Sequence, residues 1–157
     1  MQLIDDGDIV RAIGYVVIYA AYLEKSIDEC LELLIELNKF NKKDAIKQMK
    51  KPTSQKIKFI EKQIELLKYD SFDIKNRIIL LPNISDLLEQ RNIAIHSGIY
   101  AIPSFGDIQI SSRDNEKNEI HSNQLYLLAN ELFNGFKFVK SLASFINNYR
   151  KILKHYE

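Results

Sequence analysis

The chain has one cysteine, Cys30, among 157 residues. A single thiol excludes an intrachain disulfide and any cysteine-rich zinc site, and it fits a reducing compartment. Three isolated histidines (His96, His121 and His155) without a cysteine cluster also argue against a metal centre, so no metal and no cofactor are expected. There is no P-loop and no dinucleotide-binding glycine fingerprint. No apolar run approaches the roughly 20 residues that a bilayer span requires. The acidic opening, Met1 to Asp8, does not read as a secretion signal. A cytoplasmic protein with no membrane partner is expected. A strong global charge is missing too. The formal net charge is +1, so any nucleic-acid binding must come from a local patch. There is no internal repeat and no low-complexity segment.

The length predicts one domain over residues 1–157, large enough to bury roughly 70% of its unfolded surface. The residues present are arranged with helical periodicity. Asp5, Asp6 and Asp8 offer N-cap oxygens and first-turn negative charge for an opening helix. Ile9, Ile13, Val16, Ala20, Leu23, Ile27, Cys30, Leu34 and Leu37 then alternate steps of four and three, a heptad seam about four repeats long. A second stripe holds Val10, Gly14, Val17, Ala21, Glu24, Asp28, Leu31 and Ile35. Glu24 thus lies on the shoulder of the apolar seam, where a carboxylate is costly unless paired. The remaining face carries Tyr15, Tyr19, Tyr22, Ser26 and Glu29.

Asn38 to Pro52 is polar and basic, a loop or a short helix. Pro52-Thr53 opens a second helix buried through Ile57, Ile60, Ile64 and Leu67. Tyr69-Asp70-Ser71 breaks the pattern and Asp73 caps a third helical region reaching His96. Pro82 must kink or restart it, because proline removes an intrahelical donor. Asn83, with Asp86 three residues on, is a cap for the restarted helix. Ile99 to Ile102 and Ile108 to Ser111, flanking a five-residue loop, read as a small hairpin. Residues 112–121 read as surface loop. Ser122 caps a last long helix in which Leu125, Leu128, Leu132, Val139, Leu142, Ile146 and Leu153 repeat every seven residues, interrupted at Gly135. The expected fold is all-α: an up-and-down bundle of four to five helices with a hairpin insertion at about 99–121. Wide seams and the tyrosine stripe suggest a symmetric dimer. The plainer alternative is that these faces bury the last helix.

The chain is organised around Leu87-Leu88-Glu89-Gln90-Arg91-Asn92-Ile93-Ala94-Ile95-His96-Ser97-Gly98. Gly98 suits the left-handed position just past a helix end. That stop places His96 at a helix C-terminus, which favours a cation. Arg91-Asn92-Ile93-Ala94-Ile95-His96 resembles the Arg-x-x-x-x-His motif of the HEPN family (higher eukaryotes and prokaryotes nucleotide-binding domain), with the usual polar residue, Asn92, after the arginine. Four helices with the motif in the third resemble that family's plan, and Gly14 to Leu34, centred on Ala20-Ala21-Tyr22-Leu23-Glu24, looks like its first helix. In the toxin branch paired with minimal nucleotidyltransferase antitoxins, a tyrosine follows the histidine by two residues. Here that place is Gly98, and the nearest tyrosine is Tyr100.

The resemblance implies a metal-independent endoribonuclease with a toxin or defence role, acting on RNA as a homodimer, with an antitoxin or other regulatory protein as a further partner. The residues fit that chemistry. An RNA 2′-OH can attack its neighbouring phosphate if a proton is moved and the developing charge is neutralised. Histidine titrates near working pH, and arginine's fixed planar charge matches phosphate oxygens. His96 is then base or acid and Arg91 holds the phosphate. Asn92, at i and i+4 with His96, bonds substrate or orients the imidazole. Ser97 is a minor candidate. Arg91 and His96 are about 500° apart in helical rotation and do not share a face. The two-fold dimer of the family would bring two copies of each around one cleft.

Each residue also has a purely structural reading. Arg91 pairs with Glu24, whose position calls for a cation. His96 bonds a terminal carbonyl as a helix-end cap. The protein is then a non-catalytic helical dimer that binds RNA, a nucleotide or a protein. Lys42, Lys43, Lys47, Lys50, Lys51, Lys56, Lys58 and Lys62 crowd together, opposed only by Asp44 and Glu61. This run is either a track for RNA phosphates, with Lys47, Lys50 and Lys51 as its centre, or a solvated face.

Overall fold

The computed structural model describes residues 7–67, 81–96, 98–101, 108–111, 117–119 and 122–156. Five helices make up most of these: α1 (Gly7–Leu37), α2 (Lys42–Met49), α3 (Thr53–Leu66), α4 (Leu81–His96) and α5 (Ser122–Tyr156). Between α4 and α5 run three short strands, β1 (Gly98–Ala101), β2 (Ile108–Ser111) and β3 (Lys117–Glu119). They form one antiparallel sheet in the order β1-β2-β3. Gly98 pairs with Ser111 and Ala101 with Ile108, and Ser111 in turn pairs with Lys117.

The heptad seam explains why α1 is the central element. Val16, Ala20, Leu23, Ile27, Cys30 and Leu34 are all buried. Against them pack Ile57, Ile60 and Ile64 from α3, Leu81, Ile84, Leu88 and Ala94 from α4, and Leu125, Leu132, Val139, Leu142 and Ile146 from α5. Each fully buried aliphatic side chain contributes about 1.5–3 kcal/mol over its exposed state, so this one cluster dominates stability. Leu153 departs from the expected seam. It is exposed, because α5 outruns the helices it packs on.

The longest interface joins α1 to α5. Tyr15 lies 6.1 Å from Tyr126 and Tyr19 4.9 Å from Phe133 between ring centroids, and Tyr22 meets Phe136. Farther along, Lys140 donates to Glu29 at 2.5 Å and Arg150 pairs with Glu36. Partners therefore advance together along both helices. The first and last helices run parallel, whereas a strictly alternating four-helix order would set them antiparallel. The tyrosine face, read from the sequence as a dimer surface or a seat for the last helix, contacts α5 while Tyr15 and Tyr22 stay partly exposed, and Ser26 is buried with its hydroxyl donating to the Leu23 carbonyl at 2.7 Å.

Several local expectations change. α1 ends in a Schellman turn. Phe40 N–H donates to the Ile35 carbonyl, Lys39 N–H donates to Glu36, and Lys39 takes a positive φ of 53°. The 38–52 stretch then forms α2, capped by the Asn41 side chain accepting from Asp44 N–H at 2.9 Å. Leu67 stands just past α3 as its C-cap. α4 is described from Leu81, so Pro82 and Asn83 both lie within the helix, and Asn83 does not cap it. Tyr69-Asp70-Ser71, the Asp73 cap, Asp5 and Asp6 lie outside the described residues. Part of the expected 112–121 loop is β3. Gly135 does not interrupt α5. It sits inside the continuous helix where Leu23 and Leu87 approach. Among the described residues, no helix is long and apolar enough to cross a membrane.

Candidate functional site

Arg91 and His96 both belong to α4, whose last residue is His96. Their backbone separation along the helix is about 7.5 Å, and they diverge by about 140° around its axis. Asn92 and His96 share a face, one turn apart. Gly98 is not a free cap residue. It opens β1, paired with Ser111. The chain thus passes directly from the His96 end of α4 into the sheet. Ser97 lies outside the described residues.

The Arg91 guanidinium is held from α1. Its Nη2 donates to Glu24 Oε1 at 2.6 Å, with the Arg91 side chain 20% and the Glu24 side chain 38% exposed. Arg91 Nε is buried and has no hydrogen-bond partner. A guanidinium has five donor hydrogens, so among the described residues one carboxylate contact leaves most of its capacity unspent. The shoulder position of Glu24 brings this about. Its helix face is too apolar for a lone carboxylate, and α4 supplies the counter-charge.

A second ion pair lies one turn farther along α1, and the sequence alone did not reveal its partner. Lys56 of α3 donates to Asp28 Oδ1 at 2.7 Å, with the lysine side chain only 11% exposed. Asp28 follows Glu24 by four residues on the same stripe, and that spacing is the one signal that could have flagged it. The two pairs tie α1 to α4 and to α3 at neighbouring levels. Lys56 is thereby removed from the lysine run, because its charge is turned inward and neutralised. Lys42, Lys43, Lys47, Lys50, Lys58 and Lys62 are exposed and Lys51 is half-buried. Glu61, the only carboxylate of α3 within that run, has its carboxyl pushed above the usual range, first by partial burial and then by the neighbouring Glu65.

The chain matches no family model, no curated protein and no solved structure.

Among the described residues, two grooves open elsewhere. One of about 400 Å³ runs between α1 and α5, lined by Glu29, Glu32, Glu36, Lys140, Asn147 and Arg150. A smaller one of about 190 Å³ adjoins it beside Tyr22 and Phe136. Two of their cations, Lys140 and Arg150, are already paired to the α1 carboxylates Glu29 and Glu36. No group of three or more histidine, cysteine, aspartate or glutamate side chains among the described residues is placed to hold a metal ion. Cys30 is buried in apolar surroundings that push its thiol up to about 12, too high for a nucleophile at neutral pH.

Proposed function

We propose that the protein is a metal-independent endoribonuclease of the HEPN type, acting as a homodimer in a toxin or defence role. The observation that carries this reading is a guanidinium anchored by Glu24 with donors to spare, five residues before a histidine that ends its helix. In this reading the 2′-OH attacks the adjacent phosphorus. The 2′-O–P bond forms, the P–O5′ bond breaks, one proton leaves the 2′-OH and another reaches the departing 5′-oxygen. His96 moves one of these protons and Arg91 neutralises the phosphorane charge. Asn92, sharing a face with His96, orients it or bonds the substrate. Because Arg91 and His96 diverge around α4, the complete site draws on two copies of the helix. RNA is the substrate, and an antitoxin or regulatory protein is a natural further partner.

The Arg91–Glu24 ion pair also favours a second reading, a non-catalytic helical dimer in which Arg91 is structural. Purified protein incubated with a mixed RNA pool in excess EDTA separates the two. Wild type cutting to leave 2′,3′-cyclic phosphate ends, with His96→Ala and Arg91→Ala inactive, is the expected result. No cleavage by any of them, or equal cleavage by all three, removes catalysis by this motif.

A further inference from the structure

The molecule is electrically lopsided. Residues 39–62 hold nine lysines against Asp44 and Glu61, a net of +7, while the rest of the chain, with 13 cations and 19 carboxylates, is −6. Within this segment α2 is an unusual helix, because none of its residues is fully buried. Its apolar residues Ala45 and Met49 lean on the core, and Ile46 is its single large exposed apolar side chain. Lys43, Lys47 and Lys50 follow at i, i+4 and i+7, all exposed. Lys50 is the C-cap residue and keeps right-handed helical backbone, so the three share one face over ~10 Å of helix. Like charges at this spacing destabilise an isolated helix by a few tenths of a kcal/mol per pair. The fold retains α2 with an Asn41–Asp44 cap that spends its one carboxylate locally, the Asn41 amide donating to Asp44 Oδ2 at 2.7 Å. Lys51 and Pro52 then lead straight into α3, whose first turns hold the Lys56–Asp28 pair, one turn of α1 from Glu24 and Arg91.

We infer that the α2 lysine face is a binding surface for the phosphate backbone of single-stranded RNA, distinct from the Arg91 site and recruiting substrate to it. The choice of RNA as the polymer rests on the nuclease reading. The choice of a polyanion in water over an anionic membrane rests on α2 itself. An interfacial helix sinks a continuous apolar face into the lipid, and α2 offers only Ile46. The acidic remainder repels the same polymer, so the field steers it to this end of the molecule.

The test uses the His96→Ala protein in EDTA, so that RNA is not consumed. A labelled single-stranded oligoribonucleotide of about 20 nucleotides is titrated by fluorescence anisotropy across a range of potassium chloride. Each phosphate contact on a single strand contributes about −0.7 to the slope of log K against log salt. Replacing Lys43, Lys47 and Lys50 by Gln is expected to flatten that slope by about 2 and to weaken binding about tenfold or more at low salt. Circular dichroism and Tm should hold, since no fully buried side chain is touched. Unchanged affinity and slope in the triple variant overturn the inference, as does binding to phosphatidylserine vesicles with none to RNA. The two proposals fail separately. RNA bound through these lysines but left intact by wild type sinks the nuclease and keeps the surface. RNA cut by wild type, with binding indifferent to the three lysines, does the reverse.

Discussion

Glu24→Ala, Arg91→Ala and the double variant form a cycle whose outcome can be bounded from the structure. An exposed ion pair contributes about 0.2–1 kcal/mol. Truncating one partner of a buried pair costs about 3–5 kcal/mol, because a charge is left uncompensated. Here the contact is short, 2.6 Å, but the side chains are 20% and 38% exposed, so the pair lies between those limits. A coupling of about 1–2 kcal/mol is expected. Glu24→Ala should cost at least that much alone, since Arg91 Nε is already buried without an acceptor and the guanidinium then loses its one carboxylate contact among the described residues. For a chain of this size each kcal/mol moves Tm by about 2–4 °C, giving shifts of about 2–8 °C. Urea melts at two salt concentrations provide the free energies, and salt should remove only part of the coupling because the arginine is mostly sheltered. A coupling below about 0.3 kcal/mol, within ordinary additivity error, would refute the claim that this pair ties α1 to α4. The cycle also disciplines the cleavage assay. Loss of activity in Arg91→Ala counts as chemistry only at a temperature where that variant is folded.

Two further outcomes follow from single positions. At Gly135 an added Cβ would meet Leu23 Cδ2 at 3.5 Å and Leu87 Cδ1 at 3.8 Å, ordinary contact distances, and at Gly14 it would meet nothing within 4 Å. Gly135→Ala and Gly14→Ala should therefore each stabilise by about 0.5–1 kcal/mol from helix propensity, and a loss of stability at Gly135 would mean that α1, α4 and α5 pack more tightly there than these distances indicate. Cys30, its thiol raised to about 12 by burial, should resist alkylation until the protein unfolds. The sign is that of a group neutral when folded and ionised when unfolded. Its stabilisation is complete below about pH 9 and declines by up to about 1.4 kcal/mol per pH unit between there and about 12, a slope that Cys30→Ala should remove from alkaline melts.

The helical frame is written in the sequence wherever apolar spacing is long and regular. The α1 seam from Val16 to Leu34 and the α5 seam from Leu125 to Ile146 carry many residues each, so one misplaced side chain does not change the period. Direction is another matter. Periodicity says which face is buried and nothing about whether two helices run parallel. That α1 and α5 do so depends on pairs such as Tyr19–Phe133 and Lys140–Glu29, more than a hundred residues apart in the chain. The Schellman end at Lys39 was also hidden, since lysine is not the residue that advertises a left-handed cap.

At the site, the sequence exposed one need together with its partner and a second need without one. Glu24 on an apolar shoulder demanded a cation, and Arg91 is that cation. Asp28 made the same demand one turn on and was answered by Lys56, which had looked like one more member of a basic run. Counting charges along the chain could not separate the two kinds of lysine, because only the packing of α3 on α1 turns Lys56 inward while the face of α2 stays in water. The ion pair itself cuts both ways. Glu24 occupies one edge of the guanidinium and repels an incoming phosphate. At about 6 Å and an effective dielectric near 20 that repulsion is roughly 3 kcal/mol, against roughly 4 kcal/mol of attraction from Arg91 at 4 Å. A single arginine so held is a weak anion trap and a well-fixed one. On the proposed nuclease reading, such a group suits a charge that grows during a reaction more than tight capture of a resting substrate, and that reading leaves capture to a concentrated source of positive charge such as the α2 lysine face.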